Sequence, residues 1–329
     1  MNQRTHMLVT GGAGFIGAHL VERLLSDGHR VVVIDDLSTG CRENLAGVAG
    51  HPRLRFIQAK ISTCEELPEL AARAEFIFHL AATVGVELVV KSALHVLEAS
   101  FSETQILLRA AAAHRTPLLL TSTSEVYGKS GKPAFGEDDD LLIGPPGHSR
   151  WSYACSKLTD EFLALAYFRE KQLPVTIARL FNTVGPRQTG RYGMVLPRFI
   201  AAAQSGAPLQ VFGDGTQSRC FGFVHDVVEA LVRLQGSAAA RGEIFNIGGT
   251  EEVTMLELAR LVVETLGSKS PIELIPYDQA YAPGFDDMRR RKPLVAKLEQ
   301  CVQFKPQTTL REIIRLTAGA GTVSPSNRP

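Results

Sequence analysis

Neither sign of charge dominates this chain: 35 Lys and Arg stand against 34 Asp and Glu, a formal net charge of +1. No basic field therefore points to nucleic acid or to an acidic membrane surface. No apolar run approaches the roughly 20 residues that a membrane-spanning helix needs. The N-terminus also lacks the basic, apolar and small-residue order of a signal peptide. Cysteine is sparse. Cys41, Cys64, Cys155, Cys220 and Cys301 are odd in number, scattered and without metal-ligand spacing. Reduced thiols in a cytoplasmic protein, with no metal site, are the expectation. No internal repeat is visible. What the 329 residues do contain is 45% hydrophobic side chains, enough to bury the core of one large domain or two modest ones.

The first 36 residues have a readable order. Met7 to Val9 is a short apolar strand, broken by Thr10, Gly11, Gly12, Ala13, Gly14, Phe15, Ile16 and Gly17. Leu20, Val21, Leu24 and Leu25 then recur at helical spacing, and Val31 to Ile34 forms a second strand ending in Asp35 and Asp36. Strand, glycine turn, helix, strand and acid make a dinucleotide-binding unit. Glycines at 11, 14 and 17 permit a tight turn, close approach of a pyrophosphate and close helix packing, while the helix N-terminus offers amides to phosphate. Asp35 suits an adenosine 2′-hydroxyl and would repel a 2′-phosphate, which favours NAD over NADP.

Arg53 to Ile57 and Glu75 to Leu80 read as further strands. The second runs through His79 into Leu80, Ala81 and Ala82, where small residues let a cofactor lie against the backbone. His79 precedes the strand end and reads as a packing residue. Val96 to His114 has a helical pattern, and Leu118 to Leu120 opens the next strand. Alternating strands and amphipathic helices predict an α/β fold with a parallel sheet covered on both faces. Ligands of such sheets sit at the strands' carboxyl ends, where Thr10, Asp35, Ala81 and Thr123 all fall.

The segment from Leu118 to Lys157 carries the chemistry. Its strand ends in Thr121, Ser122, Thr123 and Ser124, followed by Glu125; Tyr153 and Lys157 come later, four residues apart and so on one helical face. A phenol is a poor base at its ordinary pKa of about 10, and a cation one turn away favours the phenolate. A strand-end hydroxyl facing that pair would complete a relay that takes a proton from an alcohol. Downstream, Val175 to Ala178 is a strand leading to Asn182. Arg187 to Gly193 is a loop suited to an anion, and Leu209 to Phe212 and Ile244 to Ile247 are short strands. Val227 to Leu234 and Met255 to Leu266 are helical, and Ile272 to Ile275 is again extended. Arg289 to Lys292 is either a solvated face or an anion site.

On these residues the chain resembles the extended short-chain dehydrogenase/reductases that act on nucleotide sugars. The match is carried by Thr10 to Gly17, Asp35, His79 to Ala82, Thr121 to Gly128, Tyr153 with Lys157, Arg179 to Asn182, Gly185 to Arg187, Arg219 to Asp226 and Arg291 to Pro293. The resemblance implies a Rossmann-type doubly wound parallel sheet with a smaller C-terminal substrate-binding domain. Residues 1–183 and 221–249 would form the NAD-binding domain, 184–220 and 250–318 the nucleotide-sugar domain, and 319–329 a tail. NAD would lie on Gly11, Gly14, Phe15, Ile16, Gly17, Asp35, Asp36, Leu80, Ala81 and Ala82, reached by Tyr153 and Lys157. Relatives commonly form homodimers through the helices near 96–114 and 152–170.

The implied chemistry oxidises sugar carbon 4, with Thr123, Ser124, Glu125, Tyr153, Lys157 and Arg291 as catalytic residues. Val84, Asn182, Arg187, Arg191, Gln210, Phe212, Arg219 and Arg291 would bind the nucleotide sugar. The 4-keto sugar then loses a carboxylate, is reduced from the other face, or loses its 6-hydroxyl. Thr123-Ser124-Glu125, Arg150-Trp151 and the late Arg291-Lys292-Pro293 match UDP-glucuronate decarboxylases, with 4-epimerisation and 4,6-dehydration as alternatives. A dinucleotide-sensing binding module, the non-enzyme alternative, would be expected to have lost the Tyr-Lys pair. Two departures concern binding: Ala59-Lys60-Ile61 stands where many relatives read adenine with Gly-Asp-Ile, and Ser100 stands where they carry an asparagine.

Overall fold

Strands whose residues are apolar on both faces can be satisfied only by helices on both sides, and six short strands here are of that kind. The computed structural model describes residues 4–82, 93–189, 194–280 and 288–319. In chain order the main sheet uses β1 His6–Thr10, β2 Val31–Asp35, β3 Leu54–Gln58, β4 Ala74–His79, β5 Leu118–Thr123 and β6 Val175–Leu180. After β7 Thr183–Val184, β8 Leu209–Phe212, β9 Ser218–Cys220 and β10 Gly222–Phe223 comes β11 Ile244–Ile247, which closes the same sheet. The seven strands lie in the order β11-β6-β5-β4-β1-β2-β3, every pair parallel. The chain runs outward from β1 to β3 and then returns to β4 on the other side of β1. That reversal opens a crevice above the carboxyl ends of β1 and β4.

Helices cover both faces. On one face α1 Phe15–Ser26 packs with the later helix Val224–Gly236 around Leu20, Leu24, Val227 and Leu231. On the other, α2 Leu67–Arg73, α3 Ala93–His114 and α4 Trp151–Lys171 meet around Leu70, Leu107, Ala164 and Ile177. A third apolar cluster joins Phe199 of α5 Val195–Ser205, Leu231's neighbour Val224 in α6 Val224–Gly236, Leu258 of α7 Met255–Leu266, and Ile313 and Ile314. Helix α7 starts where Thr254 and Glu257 satisfy each other's backbone amides, a capping box. The small strands β12 Glu252–Thr254, β13 Ile272–Ile275 and β14 Arg290–Arg291 pair onto β9 and β8. The final helix runs Leu310–Gly319, so the expected tail begins inside a helix and otherwise lies outside the described residues.

No helix among the described residues is long and apolar enough to cross a membrane. Cys41, Cys64, Cys155, Cys220 and Cys301 are all free thiols.

Candidate active site

The crevice is a cavity of about 640 Å³ running from the glycine turn to β14. Gly11, Gly14, Phe15, Ile16 and Gly17 line one end with Asp35, Asp36, Leu80, Ala81 and Ala82. Two of these glycines are required by contact. A Cβ on Gly17 would stand 2.1 Å from the Gly11 carbonyl oxygen, and one on Gly11, which has φ +74°, 2.6 Å from the Ala81 nitrogen. Asp35 accepts from the backbone amides of Ala13 and Leu37 at 2.8 Å each, which fixes its carboxylate beside the turn. Burial raises its pKa, and those two amides oppose the rise. A pyrophosphate-bearing, ribose-containing cofactor fits this donor set: bare amides and small residues against the phosphates, one fixed acid against a ribose.

The centre of the cavity is built by β5, the turn after it, and α4. Thr123 ends β5, and its hydroxyl accepts from the Glu125 amide at 3.2 Å, starting a short turn over Ser124–Tyr127. The same hydroxyl lines the cavity with the Tyr153 phenol. Lys157, one turn along α4, is 2% exposed and donates to the Thr121 carbonyl at 3.2 Å. Burial, Glu125 and Asp160 push the Tyr153 phenol up, with the Thr123 hydroxyl acting against them. Tyr127, Phe135, Trp151, Ala154, Phe181 and Met288 form a separate apolar cluster directly beneath, tying the turn to the start of α4.

At the far wall the carboxylate of Glu125 meets the Arg291 guanidinium at 2.7 Å and that of Arg150 at 3.2 Å. Burial alone would push Glu125 up, but Arg291, Arg150 and Arg219 together hold it below the usual carboxylate range. Among the described residues Glu125 thus faces three guanidinium groups, and the Arg291 Nε is buried there without a hydrogen bond. The two-residue period of a strand explains how the arginine run is divided. Arg290 turns out to Glu252 at 2.6 Å, while its neighbour Arg291 turns in to Glu125. Asn182, Gln210, Phe212 and Arg219 complete the lining, with Arg198 stacked 4.6 Å over the Phe212 ring.

One expected binder is misplaced by the sequence reading. Arg187 does not line the cavity: its guanidinium lies on Glu22 at 2.7 Å, the Asn44 carbonyl at 2.6 Å and His19 at 2.7 Å. The carboxylate of α1 draws the cation away from the loop's ligand side. Val84 and Arg191 lie outside the described residues. His79 is a packing residue, buried and 2.7 Å from the Thr10 hydroxyl. Sequence reasoning left out Arg150 from the site, although it stands three residues before Tyr153 at the start of α4, and it left out Asp160 altogether.

A model of the NAD dependent epimerase/dehydratase family matches residues 7–248. The chain is similar to a UDP-N-acetyl-alpha-D-glucosaminuronate decarboxylase of Bacillus cytotoxicus, 40% identical over 94% of this chain and 95% of that one. It is similar to UDP-glucuronic acid decarboxylase 1 of Arabidopsis thaliana, 35% identical over 94% of this chain and 68% of that one. Among solved structures it superposes on a UDP-glucuronic acid 4-epimerase from Bacillus cereus, in complex with UDP-glucuronic acid and NAD. That TM-score is 0.86 at 28% identity, covering 96% of this chain and 98% of that one. With that model spanning most of the chain and a relative 40% identical along nearly its whole length, the chain belongs to the NAD dependent epimerase/dehydratase family.

Proposed function

We propose that this protein is an NAD-dependent decarboxylase of a UDP-hexuronate, working through a 4-keto sugar, with UDP-glucuronate as the favoured substrate. The observation that carries this reading is Arg291, which turns into the cavity beside Glu125 with its Nε buried and without a hydrogen bond among the described residues. Arg150 and Arg219 lie on the same nearly dry wall and, with Arg291 and against burial, lower the Glu125 pKa. A carbon-6 carboxylate would meet the Arg291 guanidinium in the planar two-oxygen fork that arginine prefers, a pairing that a neutral sugar lacks.

In this reading Tyr153 takes the proton of the 4-hydroxyl, held in place by the Thr123 hydroxyl. NAD bound on the glycine turn and beside Asp35 would accept the hydride from carbon 4 and supply it for the return reduction. Lys157, one turn along the same helix face and bonded to the Thr121 carbonyl, supplies an ammonium that favours the phenolate. With carbon 4 a ketone, the bond between carbons 5 and 6 breaks, carbon dioxide leaves and the electron pair passes to the enolate oxygen. Tyr153 and Thr123 face that oxygen and stabilise its charge. Glu125, kept anionic by its arginines, orients Arg291 and is not a ready acid. That disfavours 4,6-dehydration, which needs a proton for the leaving hydroxyl.

The curated relatives named as decarboxylases support the same choice, and the Bacillus cytotoxicus relative makes a 2-acetamido uronate a second candidate substrate. We place the cofactor on 1–183 with 221–249 and the nucleotide sugar on 184–220 with 250–318. The protein is proposed to be a cytoplasmic homodimer. Leu94, Leu97 and Phe101 of α3 and Phe162 of α4 are large apolar side chains exposed on adjoining helices, and five free thiols accord with a reducing compartment. The test is incubation with NAD and UDP-glucuronate, UDP-N-acetylglucosaminuronate or UDP-glucose, followed by mass spectrometry. A product lighter by one carbon dioxide from an acidic sugar supports the reading; turnover of the neutral sugar alone would sink it.

A further inference from the structure

The proposed turnover uses Tyr153 and Lys157 but leaves a buried charge beside them without a task. Asp160 stands one turn beyond Lys157 on α4, with its side chain fully buried. Its Oδ2 is 3.6 Å from the Lys157 Nζ and accepts a 3.1 Å hydrogen bond from the Ser100 hydroxyl of α3. Thr104, one turn further along α3, also faces the carboxylate and lies 3.2 Å from the His79 Nε2. The second oxygen, Oδ1, is buried without a hydrogen bond of normal geometry among the described residues.

An apolar residue would serve this helix interface better if packing were all that was required. A buried carboxylate with an oxygen unsatisfied costs stability, and buried ion pairs are often no better than hydrophobic replacements. What the acid does supply is a negative charge against the ammonium on which the proposed chemistry depends. Few other charges compete for that role among the described residues. His79 of β4 is neutral, pushed down to about 3 by burial and by Lys157. Glu161 of α4 is matched by Arg179 of β6 at 2.8 Å. Glu125, from the turn after β5, faces Tyr153 but is held by Arg291 and Arg150. From β1 and β5 come only the hydroxyls of Thr10, Thr121 and Thr123.

We infer that Asp160, steadied by Ser100 and Thr104, is a positioning residue that sets how much of the Lys157 charge is felt at the Tyr153 hydroxyl. The inference rests on the reading of Tyr153 as the proton acceptor. Besides burial and Glu125, Asp160 pushes the Tyr153 phenol up, against the stabilisation of phenolate that the Lys157 ammonium would give. With Asp160 neutralised, the ammonium acts unopposed and the phenolate forms at lower pH.

The test is a titration of phenolate ultraviolet absorbance in the full-length protein with NAD bound, with Tyr153→Phe as the background. Asp160→Asn is expected to move the Tyr153 midpoint down by on the order of one pH unit, a tenfold gain in phenolate on the acid side. The acid limb of the kcat profile should move the same way. Asp160→Ser, also neutral but smaller, should repeat the shift and serves if the asparagine variant does not fold. Asp160→Glu, which keeps the charge, should leave the midpoint near that of the parent. A purely structural role would lower activity at every pH and leave the midpoint alone. A midpoint unmoved or raised in the folded neutral variants overturns the inference. If the parent shows no titration that depends on Tyr153, the proposed chemistry falls and this inference with it.

Discussion

Arg291 and Glu125 form a 2.7 Å ion pair in which the two side chains are only 12% and 14% exposed. They come from opposite ends of the architecture, one from a two-residue strand late in the chain and the other from the turn that ends β5. The pair shares the cavity lining with Thr123 and Tyr153. In the proposed reading, a substrate whose carbon 4 reaches Tyr153 turns its carbon-6 group toward Arg291.

Arg291→Ala is therefore expected to lower kcat/KM for UDP-glucuronate by on the order of 10²-fold. Glu125→Gln should cost less, because it frees Arg291 without removing it. Steady-state kinetics on both variants check this, with NAD affinity as the control. An Arg291→Ala variant as active as the parent would remove the carboxylate site from the account.

Tyr153→Phe and Lys157→Ala should each reduce kcat by roughly 10²-fold or more while the thermal unfolding midpoint changes little for the first. Lys157→Ala should lose stability as well, since it leaves Asp160 buried without its cation at 3.6 Å. Single-turnover oxidation followed by cofactor absorbance separates these effects from substrate binding. Full activity in either variant would contradict the shared proton-transfer step.

Arg187 offers a test of the corrected placement. Its bonds to Glu22, His19 and the Asn44 carbonyl tie the loop after β7 to α1. Arg187→Ala should destabilise the protein by about 1–3 kcal/mol and leave KM for the nucleotide sugar within about twofold. Denaturant unfolding and substrate titration measure the two quantities. A large rise in KM at unchanged stability would return Arg187 to the substrate.

The same junction predicts a pH dependence. His19 is buried and neutral, pushed down from 6.5 to about 4 by burial, with Arg187 and His225 adding to the effect and the Pro186 carbonyl opposing it. Its folded pKa lies below its unfolded value, so the unfolded chain binds the proton first. The contribution is fully present above about pH 6.5 and is lost as the pH falls toward 4, worth roughly 3 kcal/mol at most. His19→Gln should flatten that part of the stability profile. An identical profile in the variant would assign the acid sensitivity elsewhere.

The sequence was most informative where one residue type has one physical use. Gly11 and Gly17 are glycine because backbone occupies the space of a side chain, and the alternation of apolar strands and helices carries the doubly wound sheet. Tyr153 and Lys157 could be placed on one face because a helix has a fixed period. The destination of long charged side chains was harder to read. Arg187 and Arg291 both stand in polar, turn-rich stretches, yet one reaches back to α1 and the other into the cavity. Only tertiary structure decides which carboxylate each finds. Asp160 escaped notice for the same reason: three residues after a lysine, an acid looks like an exposed helical pair until burial is known.

The most direct test of the central claim follows carbon 6 of the sugar. Protein, NAD and UDP-glucuronate labelled at carbon 6 should release labelled carbon dioxide, leaving a pentose nucleotide, and Tyr153→Phe should release none. Retention of the label in a product that has changed only its configuration at carbon 4, or has lost water, would contradict decarboxylation and redirect the arginine wall to binding alone.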